Sequence, residues 1–270
     1  EGALRAAFKA VNSGRQVFML STTTLLCQQH FNTFRQRMAD YPVRVEMISR
    51  LVTASRRKKT EEDAAAGKVD ILIGTQAALN ERTAFKSLGL VIVDEEQHLG
   101  AKAKEYLRKK YPQADILTLT ATPIPRTLYL SLAGIRDISL INTPPPEKKP
   151  IEVSMIKERI SIIKEIITRE ILRKGQVFYV HNNVASIKRV FEELSAAMPE
   201  IRFRTAHGRM EKQKLESIMA DFLQKKFDVL ITTTIIEAGL DMPDVNTIII
   251  SNAERFGLSQ LYQLKGRVGR

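Results

Sequence analysis

Leu88-Gly89-Leu90-Val91-Ile92-Val93-Asp94-Glu95-Glu96-Gln97 decides the reading of the fold. A continuous apolar run that stops abruptly at consecutive carboxylates marks a strand covered on both faces. In a parallel sheet, the groups at the C-terminal end of such a strand face the ligand crevice. Runs of the same kind lie on either side. Strands are expected at 16–20, 43–48, 69–73, 88–93 and 116–119, and, after a break, at 176–180, 201–205, 227–232 and 247–250. Amphipathic helices alternate with them. Cys27, Phe31, Phe34 and Met38 form one apolar stripe; Ile160, Ile163, Ile167 and Ile171 a second. Ile187, Val190, Phe191, Leu194 and Met198 form a third, and Leu215, Ile218, Met219 and Phe222 a fourth. Strands alternating with helices predict an α/β fold of mainly parallel sheets flanked by helices.

The break is Thr143-Pro144-Pro145-Pro146-Glu147-Lys148-Lys149-Pro150, and its four prolines cannot continue a helix or a central strand. It predicts an extended connector, residues 144–150, between a first lobe at 1–143 and a second at 151–270. No internal repeat at a solenoid period is evident. The chain has 270 residues, which suits two lobes better than one core. No apolar run reaches the length of a membrane span. The single cysteine, Cys27, excludes an internal disulfide and a cysteine-built zinc site and fits a reducing cytosol. The net charge of +12 favours a polyanionic partner, because neutralising phosphates releases condensed counterions. The cluster Arg56-Arg57-Lys58-Lys59 reads as a solvated helix face.

Four segments carry chemistry. Asp94 has the hard oxygen donors that a Mg²⁺ ion requires, and Glu95 is placed to orient and deprotonate a water attacking a γ-phosphate. An acidic turn capping a following helix is the alternative for this pair. The next strand runs into Thr120-Ala121-Thr122-Pro123-Ile124-Pro125-Arg126-Thr127, which sets Thr120 and Thr122 beside the carboxylates as links to a neighbouring groove. At the end stands Gln263-Leu264-Lys265-Gly266-Arg267-Val268-Gly269-Arg270. On a helix, Arg267 and Arg270 would share one face, with planar forks suited to phosphate oxygens; two plain surface arginines are the alternative. The fourth is Thr232-Thr233-Thr234-Ile235-Ile236-Glu237-Ala238-Gly239-Leu240-Asp241-Met242-Pro243, with hydroxyls and amides suited to a phosphate backbone. His207 sits on a loop between a strand and a helix. His30, His98 and His181 are scattered without metal-ligand spacing.

In order along the chain, these segments resemble the motor motifs of the superfamily 2 helicases and translocases. Thr22-Thr23-Thr24-Leu25-Leu26 resembles the first nucleic-acid motif, Gly74-Thr75-Gln76 the next, and Asp94 to Gln97 the acidic motif. Thr120-Ala121-Thr122, Phe178-Tyr179-Val180-His181-Asn182, Thr233 to Asp241, and Gln263 to Arg270 resemble those that follow. Within the superfamily the chain is most similar to the family of the bacterial transcription-repair coupling factor. The carriers are Leu119 to Leu128, Gly134-Ile135-Arg136-Asp137 with Thr143-Pro144-Pro145, Thr233 to Glu237, and Phe256-Gly257-Leu258-Ser259-Gln260-Leu261. The RecG family of fork-remodelling enzymes shares the first and last of these.

The resemblance implies two RecA-like lobes, ATP with Mg²⁺, and a motor tracking on double-stranded DNA. It implies partnership with RNA polymerase and excision-repair proteins through segments outside these residues, and a cytoplasmic location. Glu95, Arg267 and Arg270 are expected to be catalytic. Asp94, Gln263, Gly239 and Asp241 are expected on the nucleotide, with Asp94 on the metal. Thr23, Arg50, Thr75 and Thr233 are expected on the DNA backbone, with Thr120 and Thr122 coupling the two sites. A RecG-like fork remodeller and a non-hydrolysing nucleic-acid-binding module are the alternatives. The pattern also departs from the family. The Gly-Lys-Thr or Gly-Lys-Ser phosphate loop does not occur in these residues; it is expected upstream of Glu1, and the stretch alone is expected to be inactive without it. Thr22 stands where proline is expected, and His98-Leu99 where an arginine-phenylalanine pair is expected.

Overall fold

The computed structural model describes residues 1–79, 83–95, 100–120, 137–141, 143, 151–233 and 240–269, without the side chains of 101, 102, 104 and 259. The chain divides into two compact units, Glu1–Leu140 and Ile141–Arg270.

In the first unit, α1 (Gly2–Asn12) precedes β1 (Gln16–Ser21), α2 (Thr24–Arg37), β2 (Val45–Ile48), α3 (Ala54–Ala65), β3 (Ile71–Thr75), β4 (Leu88–Asp94), α4 (Ala101–Lys110) and β5 (Asp115–Leu119). The five strands form one parallel sheet in the order β2-β3-β1-β4-β5. Side chains alternate across a strand, and the two cores follow that alternation. Val17, Met19, Ile71, Ile73, Leu90 and Ile92 pack with Ala3 and Ala7 of α1 and Cys27 and Phe34 of α2. Phe18, Leu20, Leu72, Val91 and Val93 pack with Ala64 of α3 and Leu107 of α4 on the opposite face. Burial pushes the Cys27 thiol up to about 12, as expected of a structural cysteine. On α3, Arg56 and Lys58 point to solvent, and Arg57 and Lys58 pair with Glu61 and Glu62 one turn on.

In the second unit, α5 (Ile160–Leu172), β6 (Gln176–His181), α6 (Ile187–Ala197), β7 (Phe203–Ala206), α7 (Lys212–Leu223), β8 (Val229–Thr232), β9 (Val245–Ser251) and α8 (Leu258–Lys265) follow in sequence. Its sheet is also parallel, in the order β7-β8-β6-β9. Ile163 and Ile167 of α5 and Ile187, Val190 and Leu194 of α6 cover Val177, Tyr179, Val229 and Ile231. On the other face Phe178, Phe222 and Phe227 stack in series, with ring centroids 5.3 and 5.0 Å apart.

All nine expected strands form among the described residues, but several begin later than their apolar runs. The ladders of β2 and β7 start at Val45 and Phe203, not at 43 and 201. An aspartate accounts for the second of the two residues lost at each start. Asp70 Oδ2 accepts the Arg44 N–H at 2.7 Å, and Asp228 Oδ2 accepts the Arg202 N–H at 2.9 Å. Each carboxylate takes the first donor of the neighbouring strand, so the ladder begins one residue on. Ile160 also departs from expectation. As the first residue of α5 it is 48% exposed, and the covered stripe begins at Ile163.

Candidate functional site

Because every strand in each sheet is parallel, all the strand C-termini of a unit lie along one edge. In the first unit that edge gathers Ser21 ending β1 with Thr22 and Thr23 after it, Arg50 beyond β2, Thr75 ending β3, Asp94-Glu95 at the end of β4, and Thr120 after β5. Asp94 stands opposite Leu119 in the register, so the chain leaves β5 at Thr120 directly beside the carboxylates. In the second unit, His181, Thr232 and Ser251 end their strands and His207 follows β7.

Buried polar atoms mark the same edges. Among the described residues, Ser21 Oγ, His181 Nδ1, Thr232 Oγ1 and His207 Nδ1 are buried without a hydrogen-bond partner, and each belongs to the last residue of a strand or the one after it. Glu170 Oε1, in α5, is such an atom elsewhere. Unpaired buried polar groups are uncommon in folded proteins, and their concentration at strand C-termini is what a ligand-binding edge requires.

Asp94 is held by both oxygens. Its Oδ1 accepts the Glu95 N–H at 3.0 Å, and its Oδ2 lies 2.8 Å from His30 Nε2. Glu95 is only 7% exposed and takes a left-handed backbone, φ 53°. That conformation costs a residue with a Cβ on the order of 1–2 kcal/mol. Strain of this kind concentrates at functional sites.

The remaining candidates divide by environment. Thr75 and Thr233 are buried, and the Thr233 N–H donates to Ala206 O at 3.3 Å. Thr23 caps α2: its Oγ1 accepts the Leu26 N–H at 3.2 Å. Arg50, Thr120, Asp241 and Gln263 are exposed, and Arg267 is half-buried. The helical placement of Arg267 is corrected. α8 ends at Lys265, Gly266 caps it, and Gly269 is left-handed at φ 67°, so Arg267 lies past the helix. Thr122, Gly239 and Arg270 lie outside the described residues, as do the expected Glu96, Gln97 and His98.

Behind the second edge, Glu158 joins two strands. Its Oε1 accepts from the Tyr179 hydroxyl and from Ser251 Oγ, both at 2.9 Å. Burial raises the Tyr179 hydroxyl well above its ordinary value, and the Glu158 carboxylate adds to the shift. Burial holds the His181 imidazole below its ordinary value, against the pull of Glu158 and with a push from Arg189 and Arg255. His181 Nε2 meets Ser186 Oγ at 2.7 Å, at the start of α6.

Family comparison assigns the two units separately. Residues 1–130 match the DEAD/DEAH box helicase model, and residues 158–270 match the helicase conserved C-terminal domain model. The chain belongs to the superfamily 2 helicases. It is 49% identical over all 270 residues to the transcription-repair-coupling factor of Staphylococcus aureus (strain USA300), and spans 23% of that protein. The corresponding factor of Staphylococcus haemolyticus (strain JCSC1435) is 50% identical, again over the whole chain and 23% of the relative. A solved structure of RecG bound to a three-way DNA junction matches with a TM-score of 0.82 and 34% identity, covering 99% of this chain and 36% of that one. The two parallel α/β units are therefore RecA-like helicase lobes. Among the described residues, no helix of this helicase chain is long and apolar enough to cross a membrane.

His30 has no metal-ligand spacing in the sequence, yet it contacts the acidic motif. The signal was available in part: His30 falls three residues after Cys27 and four before Phe34, on the stripe that α2 turns to the sheet. Ser21, polar at the end of a buried strand, is equally readable from the sequence.

Proposed function

We propose that the chain is the motor core of an ATP-dependent double-stranded DNA translocase acting in transcription-coupled repair, where the whole protein displaces stalled RNA polymerase. The observation that carries this reading is the Asp94-Glu95 pair at the C-terminal end of β4, in a chain 49% identical throughout to a transcription-repair-coupling factor. Asp94 would hold Mg²⁺ and Glu95 would activate the attacking water. The donor set fits the metal. Mg²⁺ binds one or two carboxylates and completes its octahedron with water and phosphate oxygens, so an anchored, partly exposed carboxylate suffices. When bound, Mg²⁺ supplies neutralisation of the charge that develops on the β- and γ-phosphates.

Arg267 and Arg270 would stabilise that charge, and Gln263, Gly239 and Asp241 would line the nucleotide side. Thr23, Arg50, Thr75 and Thr233 would hold the DNA backbone, with Thr120 and Thr122 relaying between the sites. Contacts of this kind go to phosphate and make binding salt-sensitive and independent of sequence. The lobes would be those of 1–143 and 151–270, joined through 144–150, in a cytoplasmic protein whose polymerase and repair partners bind other segments.

The test is ATP hydrolysis by the full-length protein with and without linear duplex DNA, beside Glu95→Gln. Duplex-stimulated hydrolysis that vanishes in the variant is expected. DNA binding without hydrolysis would replace this reading with that of a binding module. The likeness to RecG favours fork remodelling as the second reading. A forked DNA that stimulates hydrolysis far more than a linear duplex would select it.

A further inference from the structure

We propose that His30 is a positioning residue for the Asp94 carboxylate, fixing the oxygen geometry with which the acidic motif meets Mg²⁺-nucleotide. The inference rests on the reading of Asp94 as the metal-side carboxylate and adds a residue to that site. His30 Nε2 and Asp94 Oδ2 are 2.8 Å apart although 64 residues separate them in the chain. Both side chains are largely covered, 22% and 18% exposed, so water competes weakly for the contact. An ionised carboxylate only accepts hydrogen bonds, so the imidazole N–H donates.

The fold brings the two residues together. Leu90 and Ile92 of β4 face α2, and Asp94 is the next residue of the same alternation. On α2, His30 belongs to the stripe of Cys27 and Phe34, which packs on that face. Each element thus places a polar member of its row against the other. Asp94 Oδ1 is already tied to the Glu95 N–H at 3.0 Å. Without His30, that tether would be the one left to the carboxylate among the described residues, and the group could rotate about χ2. With both, its plane is set, and the remaining lone pairs are left for the metal and its waters. Partners that orient a ligating carboxylate in this way are typically worth about 10- to 100-fold in metal affinity.

The experiment uses the full-length protein and a fluorescent ATP analogue, with Mg²⁺ titrated at fixed nucleotide. The readouts are the half-saturating Mg²⁺ concentration for tight nucleotide binding, nucleotide affinity in EDTA, and duplex DNA affinity. His30→Leu keeps an apolar, helix-compatible side chain on the stripe and removes the donor, so it should fold where His30→Ala fails. His30→Leu is expected to raise the Mg²⁺ requirement about tenfold, with EDTA-state nucleotide affinity and DNA affinity unchanged. His30→Gln, which retains an N–H donor, is expected to recover to within about threefold of wild type. A normal Mg²⁺ requirement in His30→Leu beside a raised one in Asp94→Asn would overturn the proposal and leave the motor reading intact. Equal defects in His30→Gln and His30→Leu would also overturn it, since the donor would then be irrelevant. A normal requirement in Asp94→Asn would remove the metal role of Asp94 and the proposal together.

Discussion

Gln16 and Gln176, 160 residues apart, make the same pair of hydrogen bonds in the two units. Gln16 Nε2 donates to Ala64 O at 2.9 Å and Val69 O at 2.7 Å; Gln176 Nε2 donates to Phe222 O and Phe227 O, both at 2.9 Å. In each case the glutamine opens a central strand, and its amide closes the loop between a neighbouring helix and the next strand. In each case the register to the adjoining strand then slips by one, from Gln16↔Leu88 to Val17↔Leu90 and from Gln176↔Val245 to Val177↔Thr247.

Both amides are buried. Ala64 O and Phe222 O also accept the Gly67 and Lys225 N–H groups, so replacing either side chain by leucine strands one carbonyl, Val69 O or Phe227 O, away from water. An unsatisfied buried group costs about 1–3 kcal/mol. Gln16→Leu and Gln176→Leu are each expected to destabilise their own unit by about 1–3 kcal/mol. Hydrogen exchange of β1 and β6 amides should report the loss in the mutated unit, with the other unit unchanged.

Gly175 is required by a neighbour and not by its backbone angle. A Cβ there would fall on the Glu170 carboxylate, which is 1% exposed and paired with Arg173 and with Thr247 Oγ1. Overpacking of this kind costs about 1–3 kcal/mol. Gly175→Ala is expected to destabilise the second unit by that amount. Adding Glu170→Ala removes the obstacle, so a double-mutant cycle read by denaturant melts should be strongly non-additive.

The Asp228-Arg202 pair gives the second unit an acid-sensitive contact. Burial pushes the Asp228 carboxyl up, but side-chain and backbone hydrogen bonds from Arg202 outweigh it and hold the group below its ordinary value. A depressed carboxylate contributes stability that is present above the unfolded-state value, about 3.9, and is lost as pH falls through the folded-state value. Asp228→Asn is therefore expected to lower stability at pH 7. The gap to wild type should narrow as pH falls below about 4. Urea midpoints measured across that range would check both the sign and the window.

How much of this was legible in the sequence depended on whether the cause was local. The apolar runs announced the strands, because burial on both faces leaves no alternation to misread, and Asp94-Glu95 showed themselves by ending one. The starts of β2 and β7 were not legible, since Asp70 and Asp228 capture donors from other strands. The end of α8 before Arg267 is legible, since Gly266 signals the stop. Gln-Val-Phe, at Gln16 and again at Gln176, was present to be seen, but a match across half the chain does not resemble a solenoid period. The contact of His30 with Asp94 requires the register of β4 against α2, which no local pattern states.

Thr23 allows two roles to be separated. The structure gives it an N-cap, with Oγ1 accepting the Leu26 N–H from an extended backbone at φ −128° and ψ 159°. The proposed motor adds a DNA phosphate contact. Thr23→Ala removes both, and is expected to cost about 1 kcal/mol of stability as well as DNA affinity. Serine keeps a cap and a donor, so Thr23→Ser should remain close to wild type in both. Aspartate is as good a cap but brings negative charge to the phosphates. Thr23→Asp should therefore melt within about 0.5 kcal/mol of wild type. Its DNA affinity at low salt should fall about tenfold, as loss of a hydrogen bond to a charged group implies. Thermal melts and duplex-binding titrations on the three variants would check this. Unchanged DNA affinity in Thr23→Asp would leave Thr23 with the cap alone.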